Sequence, residues 1–288
     1  MFATKPRSLC AAVAAGAVLS ACTVGSHETV PAVVTSTVLT TVENEPVQSE
    51  PVQSEGQPAQ ERLQAVADSV AQTFGGSVGV AVAGAGGALA GGDDGAYPAW
   101  STIKVPIAIA ASRLAPVEAE VFGPAAIQAS DNVAAESLWL AVTPGDVNQV
   151  LADAGVGTTV NTEKIRPEYS VFGQTLLTAS QEATLASHLG CVAGAGPTLS
   201  LMGSVNSDQA YGFGQLPGAR LKGGWGPSTS GGYQVRQLAL VSNNRGEDVA
   251  LGLTVIPASG DYATGQAMAT AVAEGLRPLL DDLPTAAC

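Results

Sequence analysis

The spacing of apolar residues sets the first expectations along this chain. Leu63, Val66, Val70 and Phe74 recur at helical spacing, and Gly75-Gly76 supply a stop. Residues 77–83 form a small and β-branched run that predicts a strand, turning through the glycines of 84–87 into a second short strand at 88–91. A Gly- and Asp-rich turn at 91–95 then leads to Trp100-Ser101-Thr102-Ile103-Lys104-Val105-Pro106, which opens an apolar stretch, 107–114, long enough for a helix. Helical patterns follow at 132–141, 146–154 and 178–189, the last beginning with Thr178 and Gln181 in capping-box spacing. Segments 219–224, 233–241 and 249–256 read as strands, and 262–280 as a closing helix. This order predicts an α+β fold in which strands from both ends of the chain share one sheet. The terminal helices pack on that sheet, and the helical middle forms a second part with a cleft between the two.

The first sixty residues follow a different pattern. Lys5 and Arg7 precede an apolar core at 9–19 that is too short to span a bilayer, so 1–22 read as a targeting segment. Leu19-Ser20-Ala21-Cys22 resembles a bacterial lipobox, a signal in which the cysteine is lipidated and becomes the mature N-terminus. An ordinary signal peptide that happens to contain Cys22 is the alternative. Acyl chains on Cys22 would hold the protein on the outer face of the cell membrane, near the cell wall, without a spanning helix. Residues 23–60 are rich in Thr, Val, Ser, Pro, Glu and Gln and contain Glu-Pro-Val-Gln-Ser twice in tandem, from Glu45 and from Glu50. Repeated proline and charge of one sign describe a disordered acidic linker. Order is expected to begin near Glu61, giving one domain over 61–288.

Composition narrows the chemistry. Twelve basic residues against 25 acidic ones, a formal charge of -13, argue against a nucleic-acid partner. His27 falls in the linker, so a Ser-His-Asp hydrolase would have to use His188, near a predicted helix end. No cluster of His, Cys and carboxylates has metal-ligand spacing, and neither a metal nor another cofactor is expected. A serine enzyme would therefore need another base. In a helix starting at Ser101, Lys104 lies one turn on along the same face, and a desolvated lysine can take the proton of a serine hydroxyl. Ser is also a preferred N-cap, so the pair alone has a purely structural explanation. Export brings oxidising surroundings, in which Cys191 and Cys288 are expected to bridge; two free thiols are the alternative.

Two further triplets complete a pattern. Ser130-Asp131-Asn132 precedes a predicted helix, and Lys222-Gly223-Gly224 lies on a late strand. Ser-x-x-Lys, Ser-Asp-Asn and Lys-x-Gly, in this order and context, resemble the signature of serine β-lactamases and penicillin-binding proteins, closest to the class A β-lactamases. The resemblance spans about 61–288 and implies a five-stranded antiparallel sheet, a monomer and a small acyl substrate. It assigns Ser101 as nucleophile, Lys104 as its proton acceptor and Ser130 as relay to the leaving nitrogen. Asn132 would bind the substrate amide, and Lys222 would support Ser130 and attract a carboxylate. Gly224 completes the third motif, and the backbone N–H groups of Ser101 and Trp225 would form the oxyanion hole; Asp131 would brace the loop. Three departures stand out. Ser101 and Ser130 are close in sequence, which implies a trimmed helical part. Gly223 stands where Thr or Ser is usual. The Glu-Pro-Glu-Leu-Asn loop has no clear match in 161–174, where Glu168 or Glu163 would have to serve as deacylating base or else be ordinary surface carboxylates. A non-catalytic lipoprotein that binds wall components through the same cleft is the reading from another class.

Overall fold

The computed structural model describes residues 59–229 and 231–288; the targeting segment, Cys22 and the linker up to residue 58 lie outside the described residues, while Ala59 and Gln60 already belong to the first helix. The helix α1 (Ala59–Phe74) buries Leu63, Ala67 and Val70 on one face. The strands β1 (Gly76–Gly84) and β2 (Gly87–Gly92) form the expected hairpin, and a two-residue strand β3 (Tyr97–Pro98) precedes the Ser101 turn. The helical middle comprises α2 (Lys104–Leu114), α3 (Pro116–Gln128), α4 (Asn132–Leu140) and α5 (Pro144–Asp153). After the short strand β4 (Leu176–Leu177) come α6 (Ala179–His188) and α7 (Ala195–Met202). The strands β5 (Arg220–Pro227), β6 (Tyr233–Ser242) and β7 (Asp248–Pro257) lead into α8 (Tyr262–Leu276).

The sheet runs β2-β1-β7-β6-β5, antiparallel at every pair, so strands from both ends of the chain meet at β1 and β7 as expected. The terminal helices α1 and α8 cover one face, and α6 covers the other. Coverage on both faces explains why β1, β6 and β7 are buried almost throughout, β1 and β7 as largely apolar runs and β6 with Gln234, Arg236 and Gln237 buried among its apolar residues. One core lies between the sheet and α1 and α8; a second fills the helical part around Ile103, Ile107, Leu138 and Leu151. The helix α6 sits on bare backbone: a methyl group at Gly252 of β7 would fall 2.0 Å from the carbonyl oxygen of Ala179. Its capping box, Thr178 with Gln181, is formed as the sequence predicts.

Two helices were not expected. Helix α3 contains Pro124, and α7 opens on Gly194 at φ 79 with Gly196-Pro197 in its first turn, so both carry residues that normally signal a break. Pro116 and Pro197 fall in first turns, where a missing N–H costs nothing. The closing helix ends at Leu276 rather than 280, giving way to a 3-10 turn, Arg277–Leu279, around Pro278.

Cys191 and Cys288 form the expected disulfide, with Cα atoms 5.6 Å apart. The chain terminus is also tied by Cys288 N to Ser187 O, at 3.2 Å, and Ala287 N to Ser187 Oγ, at 2.9 Å. The bridge closes a loop of 97 residues. Replacing both cysteines by serine should lower the unfolding free energy by about 4–5 kcal/mol on the chain-entropy account, measured by urea denaturation.

Candidate active site

The Ser101 turn is tighter than an α-helix. Residues Trp100–Ile103 form a 3-10 turn that runs into α2 at Lys104, so Ser101 and Lys104, three apart, eclipse one another. Pro106, within the first α-helical turn, is consistent with the tightened start. Neither the turn nor α2 has a side-chain N-cap, which removes capping as the explanation of Ser101; its hydroxyl instead lines a cleft. Trp100 holds φ at 52, a conformation that costs a bulky residue about 1–3 kcal/mol. Its ring lies against Gly226 of β5 and edge-on to Tyr169, 5.1 Å between centroids, and its Nε1 donates to Gln234 Oε1 at 3.3 Å.

Behind the serine the structure brings the three motifs together. Lys104 is 1% exposed, and its Nζ donates to Ser130 O at 2.6 Å, Asn132 Oδ1 at 2.8 Å and Asp131 O at 3.2 Å. Burial lowers its pKa to about 8, against a smaller opposing pull from the Asp131 carboxylate. Lys222 is fully buried, and its Nζ donates to Ser130 Oγ at 2.7 Å and Gly223 O at 2.8 Å. Burial, and then the neighbouring charge of Lys104, push its pKa well down. Ser130 therefore bridges two lysines, its carbonyl to one and its hydroxyl to the other. It too has positive φ, 56. Asp131 does brace the loop: its side chain caps α4 by accepting from Ala134 N at 2.7 Å.

The strand β5 closes the other side. A methyl group at Gly224 would fall 2.6 Å from Ala99 O and 2.9 Å from Ser101 N, so only glycine lets the strand approach the nucleophile turn this closely. The cleft, about 490 Å³, is lined by Ser101, Ser130, Asn132, Trp225 and Glu168, all expected from the sequence. Lys104, Lys222 and Gly224 stand immediately behind this wall. Tyr233 also lines it, but Tyr211 does not; Tyr211 packs against Tyr262, which in turn contacts Trp225 and Tyr233.

The loop over the cleft is held by its own polar contacts. Gln174 accepts from Arg166 N at 2.8 Å and donates to Arg166 O and Ser170 O, while Asn161 donates to Glu163 O and Val171 O. Arg166 reaches across to β5, donating to Pro227 O at 2.5 Å, with its guanidinium 4.3 Å from the Tyr169 ring. Glu168 faces the cleft but pairs with Arg166 at 3.5 Å. Glu163 is exposed and lies outside the cleft lining. His188 is engaged with Thr184 O at 2.9 Å through Nδ1, at the far end of α6 from its cap.

Sequence reasoning missed two features. Glu136 and Lys164 also line the cleft; the signal for Glu136 was its position four residues after Asn132. Beneath the Ser101 turn lies a fully buried ion pair, Arg236 Nε to Glu182 Oε1 at 3.2 Å. Thr102 Oγ1 is 2.6 Å from the same carboxylate oxygen, and Arg236 Nη1 donates to Tyr97 O and Leu177 O, in β3 and β4. Glu182 lies in the first turn of α6, where the helix dipole favours an acid, whereas Arg236 is the single charged residue of the interior strand β6 and was the readable signal.

No protein-family model and no curated protein matches the sequence. Solved structures do match the fold. A β-lactamase from Sphaerobacter thermophilus is 17% identical, with a TM-score of 0.62, over 79% of this chain and 99% of that one. A class A β-lactamase from Mycobacterium abscessus is 15% identical, with a TM-score of 0.60, over 76% of this chain and 99% of that one. The TLA-1 extended-spectrum β-lactamase is 14% identical, with a TM-score of 0.61, over 76% of this chain and 99% of that one. The chain thus has the class A β-lactamase fold.

Two outcomes are expected from this geometry. With Lys104 as the base for Ser101, as the motif resemblance implies, the lysine must be neutral to accept a proton, so acylation should rise with pH up to about 8 and level off above it. Single-turnover rates across that range test this, and a rate that is flat or rises as pH falls excludes neutral Lys104 as the base. Arg236→Met should destabilise the fold by about 3–5 kcal/mol, because it strands the buried Glu182 carboxylate. The double variant with Glu182→Met should recover much of that loss in the same denaturation experiment.

Proposed function

We propose that this chain is an exported, lipid-anchored serine acyl-transfer hydrolase that forms an acyl-enzyme on Ser101, with β-lactams as the leading substrates. The single observation that carries the reading is the Lys104–Ser130–Lys222 arrangement behind Ser101, with its two buried, pKa-depressed lysines. As a neutral amine Lys104 keeps two donors for Ser130 O and Asn132 Oδ1 and frees a lone pair for the Ser101 proton. Ser101 Oγ then attacks the carbonyl carbon, and the backbone N–H groups of Ser101 and Trp225 stabilise the oxyanion. Ser130 Oγ, oriented by Lys222 Nζ, gives its proton to the departing nitrogen and is reprotonated through the lysines. Asn132, already fixed by Lys104, presents its remaining amide group to the substrate. Hydrolysis of the resulting ester needs a base that activates water, and two carboxylates, Glu168 and Glu136, line the cleft.

The location follows from Lys5, Arg7 and Leu19-Ser20-Ala21-Cys22, with the acidic linker letting the domain stand off the membrane. A second reading is a penicillin-binding-type peptidase or an esterase acting on wall components; Gly223, which offers no hydroxyl to a substrate carboxylate, favours its esterase form. Intact-mass spectrometry after mixing with a penicillin, a cephalosporin and a simple ester separates these readings. A Ser101 adduct that forms and decays with product release is the expected result. A persistent β-lactam adduct supports the second reading, and no adduct with any substrate leaves a binding lipoprotein.

A further inference from the structure

Building on the acyl-enzyme reading above, we infer that Glu136, on α4, is the base that activates the deacylating water. Glu136 follows Asn132 by four residues, so the two share one helical face, and both line the cleft with Ser101 and Ser130. That face is fixed in place. Asp131 caps the helix, Ala134, Ala135 and Leu138 bury its opposite side, and Asn132 Oδ1 is held by Lys104 Nζ at 2.8 Å. A carboxylate one turn beyond Asn132 is therefore presented from a rigid element to the cleft that Ser101 also lines, as a general base requires.

The alternative carboxylate is placed less well. Both carboxylates are exposed, but Glu168 lies on the loop and its Oε1 is engaged by Arg166. The guanidinium competes with an attacking water for that oxygen. Glu136 makes no hydrogen bond or ion pair with another described residue, which leaves both of its oxygens for water. In the step assigned to it, the carboxylate takes one proton from water as the water oxygen bonds to the acyl carbonyl carbon. The tetrahedral intermediate collapses with cleavage of the carbon–Ser101 Oγ bond, Glu136 returns the proton to Oγ, and the free acid leaves. Acyl-serine and water thus become acid and serine, with nothing else consumed.

The test uses the purified protein with a penicillin and with a simple ester, following the intact mass over time in wild type, Glu136→Gln and Glu168→Gln. Glu136→Gln should still acylate, which reports an intact fold and nucleophile, but its adduct should persist about 100-fold longer than that of wild type. It should also outlast the Glu168→Gln adduct. An adduct lifetime unchanged by Glu136→Gln, trapping by Glu168→Gln alone, or a wild-type adduct as persistent as the Glu136→Gln one overturns the assignment while leaving acylation by Ser101 standing. Absence of any adduct and any product from the wild type overturns the acyl-enzyme reading and Glu136 with it.

Discussion

Two lysine ammonium groups are buried side by side in this protein, and neither forms an ion pair with a carboxylate among the described residues. Their partners are backbone carbonyls, an amide and a hydroxyl. For Lys104 the shift from 10.5 to about 8 corresponds to roughly 3 kcal/mol against the charged form. The sign is that of a penalty: it is fully present below pH 8 and fades as pH rises towards 10.5, where the unfolded chain would lose the same proton. A fold that tolerates this must converge acceptors on both groups. The strained backbone of Ser130, the cap on α4 and the strand β5 together supply them. The chemistry proposed for Ser101 exploits the same imbalance, since a lysine that resists its charge is ready to accept a proton and pass it on.

The second buried charge pair has a different task. Arg236 on the sheet reaches Glu182 on α6 and the carbonyls of Tyr97 and Leu177, while Thr102, next to the nucleophile, meets the same carboxylate. One guanidinium thus links the sheet, the β3–β4 ribbon and the base of the Ser101 turn. Because α6 rests on Gly252 with no side chain between, the distance across which this link acts is set by main-chain contact. A buried pair of this kind stabilises little in total, yet it tolerates only one arrangement of the elements it joins.

How far the sequence foretold all this depends on the kind of signal. The strands β1 and β7 were legible because coverage on both faces makes them largely apolar runs, and α6 because its capping box is local. Helices α3 and α7 were not, since proline and glycine in their first turns and interior mimic breaks. The motif residues were readable through their order along the chain, and Ser101, Lys104, Ser130, Asn132 and Lys222 do converge. Glu136 and the Glu182–Arg236 pair were not found. Local signals existed, Glu136 one helical turn after Asn132 and Arg236 as a lone charge in its strand, but they do not name the partner, which for the ion pair the fold brings from 54 residues away.

The disulfide has a topological consequence. Between Cys191 and Cys288 lie α7, the strands β5, β6 and β7, and α8, so most of the sheet belongs to a covalently closed ring. A single cut in any loop of that ring, the hairpin between β5 and β6 included, opens the ring without releasing a fragment. Such a nick leaves the strand β5 covalently attached to the helical part that carries Ser101. Damage at one peptide bond remains a local event.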